Sequence, residues 1–386
     1  MPKLVAFATP GAADGGGIGR MTGYIVDHLA ARRPGLRTVV LDTRGRGSVF
    51  RSPFHLAAAL VRLGALLRKD GALVHINVSE RTSFLRKAAV QLVATAFGRP
   101  TVVHLHGANF IDFYEDNALA KAISRWLFRR CDRLIVLGDS WRDFAVHTMG
   151  IDPAKVDVLY NAVPDFAGND VRREAPQPGQ PLRLLTLANL SERKGTGCLL
   201  RACAGLKAQG VDFRLTLGGG GDVAGYRRMA EELGIGAECR FLGWVSREMA
   251  HDLIRSHDML LLPSTHEGLP MVILEALAAR LPVVTTPVGS IPEVLEDGRT
   301  ALIVPPDDPR ALGGAIARLA GDRTLYTRMA EAGRRLFVER FHIDGYCARL
   351  TAIYDLAFRR RGGTPATAEE ALGTLADRHP PASETP

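Results

Sequence analysis

Residues 259–279 read MLLLPSTHEGLPMVILEALAA, the pattern of a strand, a tight turn and a helix in succession. The apolar run Met259–Pro263 predicts a buried strand. Pro270 predicts a helix start, because proline lacks the N–H that the first helical turn leaves unpaired. The helix is expected over Met271–Ala279. An apolar strand that leads directly into a helix is typical of α/β folds with parallel sheets.

The turn of this unit carries polar chemistry. Glu267 and Gly268 lie in it, and Glu275 follows about one turn into the helix. The two carboxylates can both face the carboxyl end of the strand, where α/β folds bind ligands. Free N–H groups at the helix start favour an anion at the same place. Either glutamate alone is consistent with surface solvation, but the whole loop at a strand end predicts a ligand site.

The alternation of strand and helix extends in both directions along the chain. Apolar runs predict six strands in each half: Lys3–Thr9, Arg37–Asp42, Ala72–Asn77, Pro100–His106, Arg133–Gly138 and Val156–Tyr160, then Leu182–Leu187, Phe213–Leu217, Cys239–Leu242, Met259–Pro263, Pro282–Thr286 and Ala301–Val304. A polar stretch with several prolines separates the two groups and predicts a linker.

We therefore predict an α/β protein of two Rossmann-like, doubly wound parallel-sheet domains that face a central cleft. The first domain is expected over residues 1–165, the linker over 166–181 and the second domain over 182–340. A helix over 341–361 is expected to cross back to the first domain. The tail 362–386 has little to bury and is expected to be disordered.

Composition supports a globular protein of this size. The 386 residues are 46% hydrophobic and 23% charged, as in soluble two-domain proteins. Five cysteines without a CxxC pair predict reduced thiols in a cytoplasmic protein. We expect neither a signal peptide nor a membrane span.

The net charge of +8 lies wholly in residues 1–165, where 22 Lys and Arg stand against 14 Asp and Glu. Such an excess is consistent with solubility, an anionic membrane surface or nucleic acid. No nucleic-acid motif is present, so a membrane surface is favoured and no nucleic-acid partner is expected. The basic residues on predicted helices are Arg62, Arg68, Lys69, Arg81, Arg86, Lys87, Arg125, Arg129 and Arg130. Their apolar neighbours Leu63, Leu66, Phe84 and Trp126 are expected at the headgroup level.

Two further motifs suit phosphate. The run Gly15–Gly19, followed by Arg20, lies between the first strand and the first helix, where glycines let the backbone approach a phosphate. A flexible turn explains it equally well. Arg193-Lys194-Gly195 opens a helix in the second half, and its two cations suit a diphosphate. A solvated basic turn is the alternative.

Taken in order along the chain, these motifs resemble those of the retaining GT-B glycosyltransferases of family 4. The segment from Glu267 to Glu275 resembles the Glu-x7-Glu signature of that family. Four other segments resemble its glycine loop, strand-end histidine motif, phosphate-binding turn and base-pocket segment, namely Gly16-Gly17-Ile18-Gly19, His104-Leu105-His106-Gly107, Arg193-Lys194-Gly195 and Phe241-Leu242-Gly243-Trp244-Val245. The resemblance covers Lys3 to about Phe358.

The resemblance implies a role for each matching residue. His106 would lie against the transferring sugar, although an ordinary core histidine is the alternative. Glu267 would contact the donor sugar, and Lys194 with Arg193 would neutralise the leaving diphosphate. The implied donor-binding residues are Gly16, Gly17, Gly19, Asn189, Trp244, Val245, Gly268, Leu269, Pro270 and Glu275, with Glu275 on the ribose.

Two positions depart from the family pattern. Ala188-Asn189 stands where the family usually has Gly-Arg, so one phosphate-binding cation is missing and Arg193 is expected to substitute for it. Asn161-Ala162 stands where Asn-Gly is common, which should matter less.

The function implied is transfer of a sugar, with retention, from a UDP- or GDP-sugar to a hydroxyl of a glycan or lipid-linked acceptor, in cell-surface polysaccharide or glycolipid synthesis. We expect no cofactor and no metal, since Arg, Lys and backbone N–H groups can stabilise a leaving diphosphate. The expected location is the cytoplasm, peripheral on the inner face of the cell membrane. The alternatives are a nucleotide-sugar epimerase of GT-B fold and a non-catalytic nucleotide-binding module.

Overall fold

The structure is a computed structural model that describes residues 2–9, 16–45, 52–80, 82–168 and 172–361. Its first domain contains six strands and six helices: β1 Leu4–Thr9, α1 Gly16–Arg32, β2 Arg37–Asp42, α2 Ser52–Leu67, β3 Ala72–Val78, α3 Thr82–Ala96, β4 Thr101–Leu105, α4 Phe110–Glu115, α5 Ala118–Arg130, β5 Arg133–Val136, α6 Asp139–Asp143 and β6 Val156–Val158. The strands form one parallel sheet in the order β2-β1-β3-β4-β5-β6.

The second domain repeats this plan. Its elements are β7 Leu182–Leu187, α7 Thr196–Ala208, β8 Phe213–Gly218, α8 Val223–Glu232, β9 Cys239–Gly243, α9 Arg247–Ser256, β10 Met259–Leu262, α10 Met271–Ala278, β11 Val283–Thr285, α11 Ile291–Val294, β12 Leu302–Ile303, α12 Pro309–Gly321 and α13 Arg323–Leu336. The sheet is again parallel, in the order β12-β11-β10-β7-β8-β9. All twelve predicted strands are present with ends within two residues of those expected, which confirms the predicted α/β class.

Strand order determines where each sheet can bind a ligand. In the second sheet the chain runs outward from β7 through β8 and β9, then returns to place β10 on the other side of β7. The loops that follow β7 and β10 therefore diverge to opposite faces and leave a crevice between them. These loops contain the Arg193-Lys194 turn and the Glu267 loop. In the first sheet the corresponding point lies between β1 and β3.

The last helix, α14 Ile343–Arg361, joins the two domains. It follows a bridge in which the Val163 N–H donates to the Phe341 carbonyl at 3.0 Å and the Ile343 N–H donates to the Val163 carbonyl at 3.1 Å. The helix then packs against α1, β4 and β5 of the first domain. One buried apolar cluster runs from the first sheet through α1 and α14 to α10. The predicted crossing helix is confirmed.

Several sequence expectations are wrong in detail. The glycines expected in a loop, Gly16, Gly17 and Gly19, lie instead in the first turn of α1. Lys87 is fully buried and donates to the Thr43 hydroxyl at 2.5 Å, so it cannot meet a membrane. The apolar residues expected at the headgroup level pack in the core because they lie on the sheet-facing sides of α2 and α3: Leu63, Leu66 and Phe84.

Other expectations fall partly outside the described residues. Gly15, Arg81, residues 169–171 of the predicted linker and the tail 362–386 are not described. The domain limits at 165, 182 and 340 stay predictions. All five cysteines are free thiols, and four of them are buried.

Candidate active site

The Arg193-Lys194 turn and the Glu267 loop meet at the crevice of the second sheet. The Lys194 ammonium forms an ion pair with the Glu267 carboxylate. The Ser264 hydroxyl donates to the same carboxylate at 2.7 Å. The Thr265 N–H donates to the Arg193 carbonyl at 2.9 Å, so the two loops are joined by backbone as well as side chain. The crevice thus holds a cation and a carboxylate in contact.

Gly195 makes this contact possible. Its φ is +67°, and a Cβ on it would lie 1.9 Å from the Pro263 carbonyl oxygen at the end of β10. Any side chain would push the turn away from β10 and strain the left-handed backbone. The close approach therefore requires glycine, and it holds Lys194 against Glu267.

Arg193 is placed differently from Lys194. Its guanidinium donates to the His266 carbonyl at 2.9 Å and stays 4.0 Å from Glu267, with 39% of the side chain exposed. Asn189, which replaces the family arginine, is exposed beside the Gly219–Gly220 turn. Two cations therefore lie on the Lys194 turn, and substitution of Arg193 for the family arginine stays a prediction.

The loop after β10 leads into α10 through Leu269 and Pro270. Leu269 is buried, and its carbonyl accepts from the Asn161 amide at 2.8 Å across the cleft. Gly268 faces the first domain, since a Cβ on it would lie 3.2 Å from Leu137 and 3.7 Å from the His106 carbonyl oxygen. The start of α10 is therefore held against the strand ends of the first sheet.

Glu275 is fully buried on α10, and its partners come from the first domain. The Arg20 guanidinium approaches its two oxygens at 3.1 and 3.2 Å, and the Tyr24 hydroxyl donates to it at 2.9 Å. Burial raises the pKa of Glu275, and the nearby Arg20 cation opposes that shift. The carboxylate expected to hold the ribose is thus occupied by two side chains of α1.

The first turn of α1 faces the start of α10. A Cβ on Gly17 would lie 3.9 Å from Met271 Cγ. Gly16 and Gly17 are exposed, whereas Gly19 is buried against the domain. Two helix N-termini therefore face one space, which favours an anion between them.

His106 follows β4 and lies half-buried near Gly268. Its Nε2 is 3.0 Å from the Asn77 Oδ1. Burial and the neighbouring His75 lower the pKa of His106 to about 3. The ring is neutral at physiological pH, so it can offer or accept a hydrogen bond but carries no charge.

The predicted base-pocket residues are split between surface and core. The Trp244 side chain is 64% exposed. Val245 is buried and packs toward Gly218, where a Cβ would meet Leu187 at 2.7 Å and Val245 at 3.2 Å. Gly218 therefore lets the Leu187 and Val245 side chains pack directly against the end of β8.

Several residues around the cleft escaped prediction. The sequence predicted no contact for Arg20, which merely follows the glycine run. It predicted none for Asn161 either, which belongs to a pair that departs from the family pattern. Glu293 of α11 accepts from the N–H groups of Asp139 and Ser140 at 2.7 and 3.1 Å, which links the domains on another side. No local pattern marks Glu293, since its partners are more than 130 positions away in sequence.

Within the described ranges, no three His, Cys, Asp or Glu side chains are grouped so that they could hold a metal ion. The same part of the chain has no helix that is both long and apolar enough to cross a membrane.

Comparison with family models covers both domains. Residues 15–165 match the model described as Glycosyltransferase Family 4, and residues 169–336 match that described as Glycosyl transferases group 1. Each of the two domains thus matches one of these glycosyltransferase models. The match explains why both crevices face one cleft, as the GT-B fold requires.

Three sequence relatives are named as glycosyltransferases. WcaL of Salmonella typhimurium, named for colanic acid biosynthesis, is 33% identical over 50% of this chain and 49% of its own length. The amylovoran biosynthesis glycosyltransferase AmsK of Erwinia amylovora is 31% identical over 58% and 52%. Alpha-D-kanosaminyltransferase of Streptomyces kanamyceticus is 25% identical over 75% and 78%. The chain spans about half the length of the first two relatives.

Solved structures show the same fold. Sucrose-phosphate synthase from Thermosynechococcus elongatus superposes with a TM-score of 0.75 at 19% identity, covering 93% of this chain and 100% of that one. Anabaena HepE in complex with UDP and glucose superposes with a TM-score of 0.71 at 18% identity, covering 92% and 100%. The chain therefore has the GT-B architecture.

The Tyr24–Glu275 contact leads to a first prediction. If ribose hydroxyls compete with the Tyr24 hydroxyl for Glu275, Tyr24→Phe should tighten nucleoside diphosphate binding by roughly fivefold, the effect of one hydrogen bond. Calorimetric titration measures it. The matched control is Tyr160→Phe, which removes another interdomain hydrogen bond, 3.1 Å long, to Glu293. Equal tightening in both variants would contradict direct competition and indicate general loosening of the domains.

Proposed function

We propose that this protein transfers a sugar from a nucleoside diphosphate donor to an acceptor hydroxyl, with retention of the anomeric configuration. The observation that carries the proposal is the Lys194–Glu267 pair at the crevice of the second sheet, beside the start of α10. A cation and free N–H groups at one place suit a leaving diphosphate. The UDP complex of HepE and the family models support the same donor class.

The residues divide the chemistry between them. Lys194, with Arg193 and the N-termini of α1 and α10, stabilises the negative charge that develops on the departing diphosphate. Glu267 leaves its ion pair with Lys194 to accept hydrogen bonds from the donor sugar. Glu275 exchanges Arg20 and Tyr24 for the ribose hydroxyls. Donor binding therefore requires partial opening of the contact between α1 and α10.

Retention follows from attack on the face that the diphosphate leaves. The departing diphosphate oxygen is the base nearest to an acceptor hydroxyl on that face, and it takes the proton as the new bond forms. His106 is neutral and lies on the first-domain side of the cleft, where it contacts the transferring sugar. No protein nucleophile is assigned.

The acceptor class is proposed from the relatives that act in exopolysaccharide synthesis. A glycan or lipid-linked hydroxyl would enter from the first domain, where the strand ends of β1, β3 and β4 face the cleft. The reaction would serve cell-surface polysaccharide or glycolipid synthesis on the cytoplasmic side of the membrane.

A thermal-shift screen with UDP, GDP and ADP tests the donor class. A ligand whose free concentration is about a hundred times its Kd stabilises the folded state by about 2.7 kcal/mol. The matching diphosphate should therefore raise Tm by several degrees. No shift with any of the three would contradict the proposal. Release of nucleoside diphosphate only when acceptor is present separates transfer from epimerisation.

We further propose a peripheral membrane contact on the first domain, carried by three of the predicted cations and by apolar residues other than those predicted. Phe54 and Val61 on α2 are 77% and 76% exposed, and Leu85 and Leu92 on the adjacent α3 are also exposed. Arg62, Arg68 and Lys69 are exposed beside them. An apolar surface next to cations suits the headgroup level of an anionic bilayer.

Cosedimentation with phosphatidylglycerol vesicles tests the proposed membrane contact. Phe54→Ser combined with Val61→Ser should weaken binding at least about tenfold, because two apolar side chains no longer enter the interface. High salt should weaken wild-type binding, since each cation contributes about 1 kcal/mol. Val338→Ser, which removes an exposed valine of the second domain, is the control. Equal binding to neutral vesicles, or unchanged binding of the double variant, would contradict the proposal.

A further inference from the structure

Behind His106 lies a buried hydrogen-bonded chain that the roles above leave without a function. It runs across the face of the first sheet covered by α1 and α14, through Thr22, Asn77, His75 and Tyr354. All four side chains are at least 97% buried. A buried polar group costs free energy unless each donor meets an acceptor. The donor and the acceptor of each hydrogen bond can therefore be assigned from the network itself.

The direction of the chain is set at Thr22. Its hydroxyl is 2.8 Å from the Ile18 carbonyl, to which it can only donate. With its single proton used, the Thr22 oxygen must accept from Asn77 at 3.0 Å, so the Asn77 group facing it is the NH₂. The opposite amide orientation would place two acceptors together. The Asn77 Oδ1 therefore faces the two histidines, which is an assignment from the network.

Both histidine tautomers follow from that orientation. Oδ1 of Asn77 lies 3.0 Å from Nε2 of His106 and 3.2 Å from Nε2 of His75, and an amide oxygen accepts only. Each Nε2 must carry a proton. Nδ1 of His75 is then a bare acceptor, and the Tyr354 hydroxyl donates to it at 2.8 Å. These assignments satisfy all five hydrogen bonds of the network at once.

His106 is left with one unengaged polar atom. In the part of the chain that the structure describes, its Nδ1 has no hydrogen-bond partner and is not sealed in the core, unlike both ring nitrogens of the adjacent His104. The His104 ring packs against His106 with centroids 3.8 Å apart and the two ring planes tilted by 35°. It supplies packing and no bond. His106 thus presents a lone pair and no N–H to a ligand at Nδ1.

We propose that Asn77 is a positioning residue that fixes His106 as the Nε2–H tautomer, so that Nδ1 accepts a hydrogen bond from a hydroxyl of the donor sugar. This rests on the proposed function for the identity of the ligand. It narrows the donor to sugars that present a hydroxyl at that contact, because a carbonyl, carboxylate or fluorine there would set a lone pair against a lone pair. Thr22 acts through Asn77 by holding the amide in the required orientation.

The test reads the tautomer directly. The full chain is labelled with ¹⁵N-histidine, and His106 is assigned as the resonances missing from His106→Gln. Wild type is expected to show a protonated Nε2 and an unprotonated Nδ1. Thr22→Val removes the acceptor that orients Asn77 with little change of shape, and a mixture of tautomers or the Nδ1–H form is expected. Thr22→Ser keeps the hydroxyl and should keep the wild-type spectrum.

Two variants of Asn77 keep the test valid if Thr22→Val does not fold. Asn77→Asp keeps an oxygen that accepts from His106, so Nε2 should stay protonated. Asn77→Leu removes that oxygen, so the Nε2–H tautomer should no longer be fixed. A protonated Nδ1 in wild type would overturn the proposal, as would an unchanged tautomer in both Thr22→Val and Asn77→Leu.

Kinetics then connect tautomer to donor use. Turnover in Thr22→Val should fall about tenfold relative to Thr22→Ser, the loss expected for one hydrogen bond. Equal turnover despite a changed tautomer would overturn the role of Asn77. If the expected tautomer is observed but the protein binds no nucleoside diphosphate, the proposed function is rejected. The assignment of Asn77 as the residue that fixes the tautomer is then still supported.

Discussion

Lys194→Ala should lower turnover by about 10²–10³-fold, the range found when one group that stabilises developing negative charge is removed. Lys194 is the cation held in the crevice by Glu267 and by the close approach of Gly195 to β10. Its loss leaves Glu267 with the Ser264 hydroxyl and, at 4.0 Å, the Arg193 guanidinium. Initial rates with a saturating donor measure the effect on turnover.

Arg193→Ala is the matched control for this variant. Arg193 is adjacent in sequence, but its guanidinium binds a backbone carbonyl and is 39% exposed. We expect a smaller loss, within about tenfold. Thermal unfolding of both variants shows whether the turn remains folded. Turnover of Lys194→Ala within a few-fold of wild type, or equal losses in the two variants, would contradict the assignment.

Glu275→Ala should weaken nucleoside diphosphate binding by about 1–3 kcal/mol, as expected when hydrogen bonds to a charged group are lost. The variant also leaves Arg20 and Tyr24 without their carboxylate. The side chains that compete with the ribose for Glu275 therefore lose their partner together with the ribose. The net result is still weaker binding, because α10 carries no second carboxylate. Calorimetry measures it.

Glu293→Ala separates this effect from domain contact in general. Glu293 is another carboxylate that bonds across the cleft, to the start of α6 and to Tyr160. It lies on α11 and contacts none of the predicted donor residues. Nucleotide affinity should be unchanged in Glu293→Ala. An affinity loss as large as that of Glu275→Ala, or none in Glu275→Ala, would remove Glu275 from the ribose site.

Sequence alone predicted the architecture because buried parallel strands leave continuous apolar runs. Met259–Leu262 and Leu182–Leu187 needed no knowledge of their neighbours to be recognised. The loops after them were also predicted in part, since Pro270 indicates a helix start and Arg193-Lys194-Gly195 was expected to open a helix, whereas the close approach of Gly195 to β10 was not predicted. The Lys194 and Glu267 side chains are brought together because both loops leave strands that flank the crevice.

What sequence did not predict depends on contacts between distant positions. Arg20 and Glu275 are 255 positions apart, and nothing local to either indicates that they pair. The orientation of amphipathic helices was also misjudged. On α2 the Leu63 face meets the sheet while Phe54 and Val61 face outward, and an apolar residue on either face looks alike in sequence. His106 was found, but Asn77 and Thr22 behind it were not.

The most direct test of the account is nucleoside diphosphate release from a panel of UDP- and GDP-sugars by the wild-type protein in the presence of EDTA, with and without a membrane lipid extract as acceptor. The account predicts that one donor is turned over, that the extract accelerates release, that EDTA does not abolish it and that Lys194→Ala does. Release from no donor, or release that strictly requires Mg²⁺, would contradict the claim that Lys194 and the facing helix N-termini stabilise a leaving diphosphate.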